Sequence, residues 1–201
     1  MGLHMESALR HLRRRDPVLK QIISQVGPYA MKYHPPTFQA LVSSIVYQQL
    51  SGKAASTIFG RFKDCCGVRT LNPAAVLAVS EEQMRAAGLS GQKARYIRHL
   101  AEKTASGEVR FGKHKKMSDE EIIVELTQVK GIGVWTVQMF LMFALERPDV
   151  FPVLDLGVRN GMQKLYNLDP KAKHPDYELI AENWRPYRSI ASWYMWRSLE
   201  I

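Results

Sequence analysis

Val129 to Thr136 reads VKGIGVWT, a lysine and two glycines set around one isoleucine. ELTQV precedes the glycines and VWTVQMFLMFALE follows them, and both runs space their apolar residues as helices do. Glycine takes positive φ without a Cβ clash, so the stretch is read as a tight hairpin between two helices, with a glycine at each corner. Such a hairpin presents successive backbone N–H groups beside a helix N-terminus, which suits a phosphate oxygen and reads no base. Lys130 adds a charge at the same place. A dinucleotide-binding GxGxxG is excluded, because the third glycine is missing and the preceding segment is helical. Taken alone, the two glycines also fit a plain αα-turn.

The helical period continues on both sides. In TFQALVSSIVYQQL, residues Phe38, Leu41, Val42, Ile45 and Val46 recur at intervals of three and four and make one apolar face. Pro35 and Pro36 set its start and Thr37 caps it. After the Ser51-Gly52 break, KAASTIFGRFKDCC makes a second helix that stops at Gly67. Asn72-Pro73 places a cap before a proline in the first helical position. Ser80 with Gln83, and Ser118 with Glu121, form capping boxes, while Ser90 opens GQKARYIRHLAEKTASG. VWTVQMFLMFALE is apolar nearly all round, which predicts a central buried helix ended by Arg147-Pro148. DVFPVLDLGVRNGMQKLY predicts an extended entry and a helix. HPDYELIAENW and RPYRSIASWYMWRSLE, with Pro186 near a start, supply two more. No alternating strand pattern stands out. The expected class is all-α, about ten helices joined by short loops.

The chain has 201 residues, with 28 Lys+Arg against 19 Asp+Glu and a formal net charge of +9. That excess suits a polyanionic partner, nucleic acid first, although it also serves plain solubility. Cys65 and Cys66 are adjacent, a poor geometry for a mutual disulfide, and read as reduced thiols of an intracellular protein. No CxxC pair and no HxxxH or HExxH spacing points to a metal centre. No apolar run is long enough to span a bilayer. MGLHM is set aside as a vector remnant, with Met5 the native start.

With its surroundings, the hairpin resembles that of the DNA glycosylase superfamily named for a helix-hairpin-helix, a Gly/Pro-rich loop and an Asp. The loop is FPVLDLGVRNG and the matching acid is Asp155. FQALVSSIVYQQLSGKAA, GLSGQKARYIRHLA and WRPYRSIASWYMW are similar to the 3-methyladenine DNA glycosylase branch, so the likeness runs from residue 36 to 196. The resemblance implies two helical subdomains, residues 35–146 and residues 1–34 plus 147–201, with the active-site cleft between them. It also implies excision of alkylated purines (3-methyladenine, 7-methylguanine) from double-stranded DNA by flipping the damaged base, with no required cofactor, as an intracellular monomer and without a membrane. The compartment would be the cytoplasm or nucleoid of a prokaryote, or a nucleus.

The same resemblance implies the roles. Asp155 is the catalytic carboxylate, set to stabilise positive charge developing on the sugar, although an Asp opening LGVRNGMQKLY also reads as a helix N-cap. Leu154 stands where many relatives have a second acid, and Asp149 precedes the loop and is read as structural. Bifunctional relatives carry a lysine nucleophile two positions past the glycines; here that position is Trp135, which implies a water-using, monofunctional enzyme. Tyr47, Trp135, Met139 and Trp196 match pocket positions, though tryptophans on apolar helices are commonly core residues. Gln48, Gln49 and Leu50 fall at the wedge that fills the gap left by the flipped nucleotide. Lys130, Gly131, Ile132 and Gly133 meet the DNA backbone, and the carbonyls of Thr127, Val129 and Ile132 hold a Na or K ion. RHLRRR near the N-terminus reads as a solvated helix face with phosphates as its other use. Two alternatives stay open: a glycosylase for another lesion, and a non-catalytic module that grips the backbone through the hairpin.

Overall fold

The computed structural model describes residues 2–201; residue 1 and the side chains of residues 2–4, within the stretch set aside as a remnant, lie outside the described residues. The α-helices run α1 (Gly2–Arg15), α2 (Pro17–Val26), α3 (Phe38–Tyr47), α4 (Gly52–Cys65), α5 (Pro73–Leu77) and α6 (Glu81–Ala86). They continue as α7 (Gly91–Ala105), α8 (Asp119–Thr127), α9 (Val134–Phe143), α10 (Leu156–Tyr166), α11 (His174–Ala181) and α12 (Arg188–Arg197). Short 3-10 turns cover Phe111–Lys116, Glu182–Trp184 and Ser198–Glu200. No strand occurs among the described residues, so the all-α expectation holds. Among the described residues twelve α-helices replace the expected ten or so; α1 and α2 are the additions. The signal for α2 was present in Asp16-Pro17, a cap before a proline at N1, followed by buried Leu19, Ile22 and Ile23.

The chain divides into two compact units, Met1–Tyr33 with Leu141–Ile201, and His34–Phe140. The first gathers Leu12, Leu19, Ile22, Ile23, Met162, Trp184, Tyr194 and Met195 into one core. A buried carboxylate organises it. Asp16 Oδ1 accepts from the backbone N–H of Val18 and Leu19, and Oδ2 accepts from Tyr166 (2.6 Å) and Trp184 Nε1 (2.9 Å). A buried Asp survives only when its oxygens are filled in this way. Burial, then the Asp16 bond, pushes the Tyr166 phenol far above its ordinary range, so it remains a donor. Asp149 takes Arg188 Nε (2.8 Å) and Arg185 Nη1 (2.9 Å), the structural use expected of it.

In the second unit α7 packs on α3, α5 and α6. Leu41, Val42, Ile45, Ile97, Leu100, Ile122, Leu126 and Val137 are all fully buried there. The caps at Thr37, Asn72, Ser80, Ser90 and Ser118 form as read from the sequence, the boxes at Ser80 and Ser118 included. Buried His114 meets Glu125 at 2.8 Å, and the backbone N–H of Arg110 donates to the same carboxylate oxygen.

Helix α9 departs from expectation at both ends. It stops at Phe143, before Arg147-Pro148, and Glu146 then turns the chain with φ +55 while the Arg147 N–H donates to Leu141 O. At its start Val134 is 40% and Trp135 39% exposed, so the helix is not buried all round and these two side chains stand outside the core. No helix among the described residues is long and apolar enough to cross a membrane.

Candidate functional site

Asp155 lies in the first unit. The loop before it turns through Pro152, whose carbonyl accepts from the Asp155 N–H at 2.8 Å, and Asp155 becomes the N-cap of α10. Its Oδ1 accepts from the Val158 N–H at 2.9 Å and from the Trp196 indole Nε1–H at 2.7 Å. Capping and a directed carboxylate thus coexist in one residue: two donors fix one oxygen and so fix the plane of the other. Leu154 and Leu156 flank it with exposed apolar side chains.

Trp196 is partly buried, and its ring stacks on Phe143 at 5.7 Å and 20°. Behind it lies Gly157, where a Cβ would fall 2.8 Å from the indole Cδ1 and 3.2 Å from Asp155 Oδ1. One turn on, a Cβ at Gly161 would strike the Met195 carbonyl. Two glycines four apart therefore let α12 lie close against α10 and deliver the indole to the carboxylate. Gly157 and Phe143 were not expected from the sequence. The Gly-x-x-x-Gly spacing on one helix face was the available signal for the first; nothing local marks the second.

The hairpin lies in the second unit. Gly131 has φ +85, and a Cβ there would fall inside the Tyr96 ring, so both conformation and space require glycine. Gly133 differs from expectation: its φ is ordinary and nothing lies within 4 Å of a Cβ built on it. The expected row of N–H donors is also shorter. Lys130 N–H donates to His99 Nδ1 at 3.0 Å and Ile132 N–H to Val129 O at 3.0 Å. Gly131 and Gly133 are the hairpin residues whose N–H groups meet no protein acceptor among the described residues. Trp135 and partly buried Met139 follow in α9.

Gln48, Gln49 and Leu50 leave α3 in the same unit and serve different ends. Gln48 Nε2 donates to Gly131 O at 3.0 Å, tying the turn to the hairpin. Gln49 sits at φ +57, a left-handed conformation costing a non-glycine residue on the order of 1–2 kcal/mol. Leu50 donates its N–H to Tyr47 O at 3.3 Å, and both side chains are exposed. The turn's outward side chains are therefore Tyr47, Gln49 and Leu50.

A hairpin joining two helices, followed by a proline-bearing loop into an Asp-capped helix, marks a chain of the helix-hairpin-helix class. The chain matches the HhH-GPD superfamily base excision DNA repair proteins over residues 42–186, and it belongs to that superfamily. It is 37% identical over 198 residues to DNA-3-methyladenine glycosylase 1 of Schizosaccharomyces pombe, covering 95% of this chain and 86% of that protein. The solved Schizosaccharomyces pombe 3-methyladenine DNA glycosylase in complex with abasic DNA is similar at TM-score 0.83 and 35% identity, over 97% of each chain. A Bacillus halodurans DNA-3-methyladenine glycosidase matches at TM-score 0.86 and 38% identity, over 94% of this chain and 88% of that one.

Proposed function

We propose that this chain binds duplex DNA, turns an alkylated purine out of the stack and hydrolyses its N-glycosidic bond, leaving an intact abasic site. The fixed carboxylate of Asp155 carries the reading, supported by the family and by relatives named as 3-methyladenine glycosylases. As the bond from C1′ to the purine nitrogen breaks, its electron pair leaves with the base and positive charge grows on the sugar ring. A carboxylate held in direction stabilises that charge without reorganising, and it takes a proton from the water that attacks C1′. Methylation at N3 of adenine or N7 of guanine makes the base cationic before cleavage, so it departs neutral and needs no second acid.

In this reading Tyr47, Trp135 and Met139 of the second unit offer their side chains to the flipped base, and Trp196 of the first unit orients Asp155. Gln49 and Leu50 form the wedge, and Gln48 supports them from the hairpin. Gly131 and Gly133 offer N–H groups to a phosphate, with the exposed Lys130 side chain beside them. In this reading the carbonyls of Thr127, Val129 and Ile132 would hold a Na or K ion; in support, Thr127 ends α8, and the Val129 oxygen, bonded once by Ile132, keeps a second lone pair. The protein acts as an intracellular monomer without a cofactor in the chemical step.

Single-turnover release of 7-methylguanine and 3-methyladenine from defined duplexes tests this. Asp155→Asn keeps a capping side chain but removes the charge, and is expected to slow release by roughly 10³-fold, about 4 kcal/mol, with DNA affinity retained. Release by the variant at the wild-type rate would overturn the assignment.

A further inference from the structure

Lys93 occupies the third position of α7, where the positive end of the helix dipole disfavours a cation. Among the described residues no carboxylate pairs with it. Its Nζ instead donates to Val46 O at 2.7 Å and Gln48 O at 2.8 Å, the open carbonyls at the C-terminal end of α3. Burial lowers the ammonium's pKa, because desolvation disfavours the charged form. The same turn is gripped from the hairpin by the Gln48 amide and closed within itself by Leu50 N–H on Tyr47 O. Gln49, between these anchors, holds its unfavourable φ of +57. A strained residue persists only where its neighbours over-determine it.

We propose that Lys93 is a positioning residue for the wedge: it locks the 47–50 turn onto the end of α3, so that Gln49 and Leu50 enter the duplex as one rigid body when a base is turned out. The inference rests on the glycosylase reading above. Lys93 would touch neither the base nor the sugar, so it acts on extrusion and leaves bond cleavage alone. Its contribution should scale with how much the lesion resists leaving the stack.

The test compares two substrates, 7-methylguanine paired with cytosine and the same lesion unpaired in a bulge. Lys93→Met is expected to lose about tenfold or more in single-turnover rate on the paired lesion and to stay within about threefold of wild type on the unpaired one. Lys93→Arg, which keeps the charge and several N–H donors, should restore most of the paired rate. 2-Aminopurine beside the lesion should show reduced opening in Lys93→Met. Equal losses on both substrates, or no loss on either, would overturn the proposal. If Lys93→Met does not fold, Lys93→Gln, shorter and without the charge, carries the same comparison. Wild type that releases base from neither substrate would instead refute the glycosylase reading itself.

Discussion

The indole Nε1–H of Trp196 donates to Asp155 Oδ1 at 2.7 Å, while its ring stacks on Phe143 and its edge lies against the bare backbone of Gly157. Trp196 thus orients the acid as well as presenting an aromatic surface. The two uses separate by mutation. Trp196→Phe keeps an aromatic ring against Phe143 and loses only the donor. A charge-assisted hydrogen bond of this kind is worth roughly 1.5–3 kcal/mol, so excision should fall about 10–100-fold with DNA affinity nearly unchanged. Wild-type rates in single-turnover excision would show that the carboxylate is oriented without the indole donor.

Gly157 and Gly161 share a helix face but face different atoms. Gly157→Ala presses on a side chain, the Trp196 indole, and should lower excision by displacing the donor. Gly161→Ala presses on the Met195 carbonyl, which belongs to the backbone of α12 and yields less easily. Overpacking of this kind costs about 1–3 kcal/mol, so melting should drop by several degrees. Thermal melts and excision rates on the same pair check the order: the greater stability loss belongs to Gly161→Ala. The reverse order would mean that α12 shifts as a unit.

The hairpin glycines should separate as well. Gly131→Ala forces a Cβ into Tyr96 at positive φ and is expected to destabilise the second unit and weaken DNA binding together. Gly133→Ala meets no protein atom, so melting should hold, and any loss of affinity reports the approach of DNA. That loss should be the same for damaged and undamaged duplexes, because a phosphate contact carries no base information. A change confined to lesion-bearing DNA, in binding titrations at fixed salt, would place Gly133 in the pocket instead.

Local rules made much of this legible. Caps such as Ser80, Ser118 and Asp155 bond backbone within three residues, so their residue type and spacing suffice. Relationships across the chain were not. Lys93 in sequence is a lysine on an exposed helix start, and its carbonyl partners lie 47 and 45 residues away. Gly133 was assigned a positive φ because glycine permits one; only Gly131 uses it. The early stop of α9 is followed by a turn at Glu146, a residue with no particular turn preference.

Glu125 predicts an acid limit to stability. Burial raises its carboxyl pKa, but the Arg110 N–H, the His114 bond and the charges of both outweigh that and hold it below its ordinary 4.5. A folded-state value below the unfolded one stabilises fully above pH 4.5 and is lost as pH falls through the folded value. Glu125→Gln should therefore lower the melting temperature at neutral pH by several degrees, roughly 1–3 kcal/mol, and flatten the decline below pH 4.5. Melts from pH 3 to 7 decide it; parallel curves for the two proteins would assign the acid transition to groups other than Glu125.

The last prediction concerns what leaves and what stays behind. Trp135, two residues past Gly133, stands where an amine nucleophile would be needed for strand cleavage, and an indole forms no Schiff base. Borohydride should therefore trap no enzyme–DNA adduct, and the product should be an uncut abasic strand. At 39% exposure Trp135 has ring surface left for a ligand. A cationic purine stacked on it gains about 1–2 kcal/mol over a neutral one from the ring quadrupole. Wild type should therefore favour 3-methyladenine and 7-methylguanine over neutral lesions, and Trp135→Ala should erode that preference by about tenfold while binding undamaged duplex as before. Selectivity kept intact in Trp135→Ala, measured as the ratio of single-turnover rates on charged and neutral lesions, would move the stacking surface to another residue and leave leaving-group chemistry as the whole source of preference.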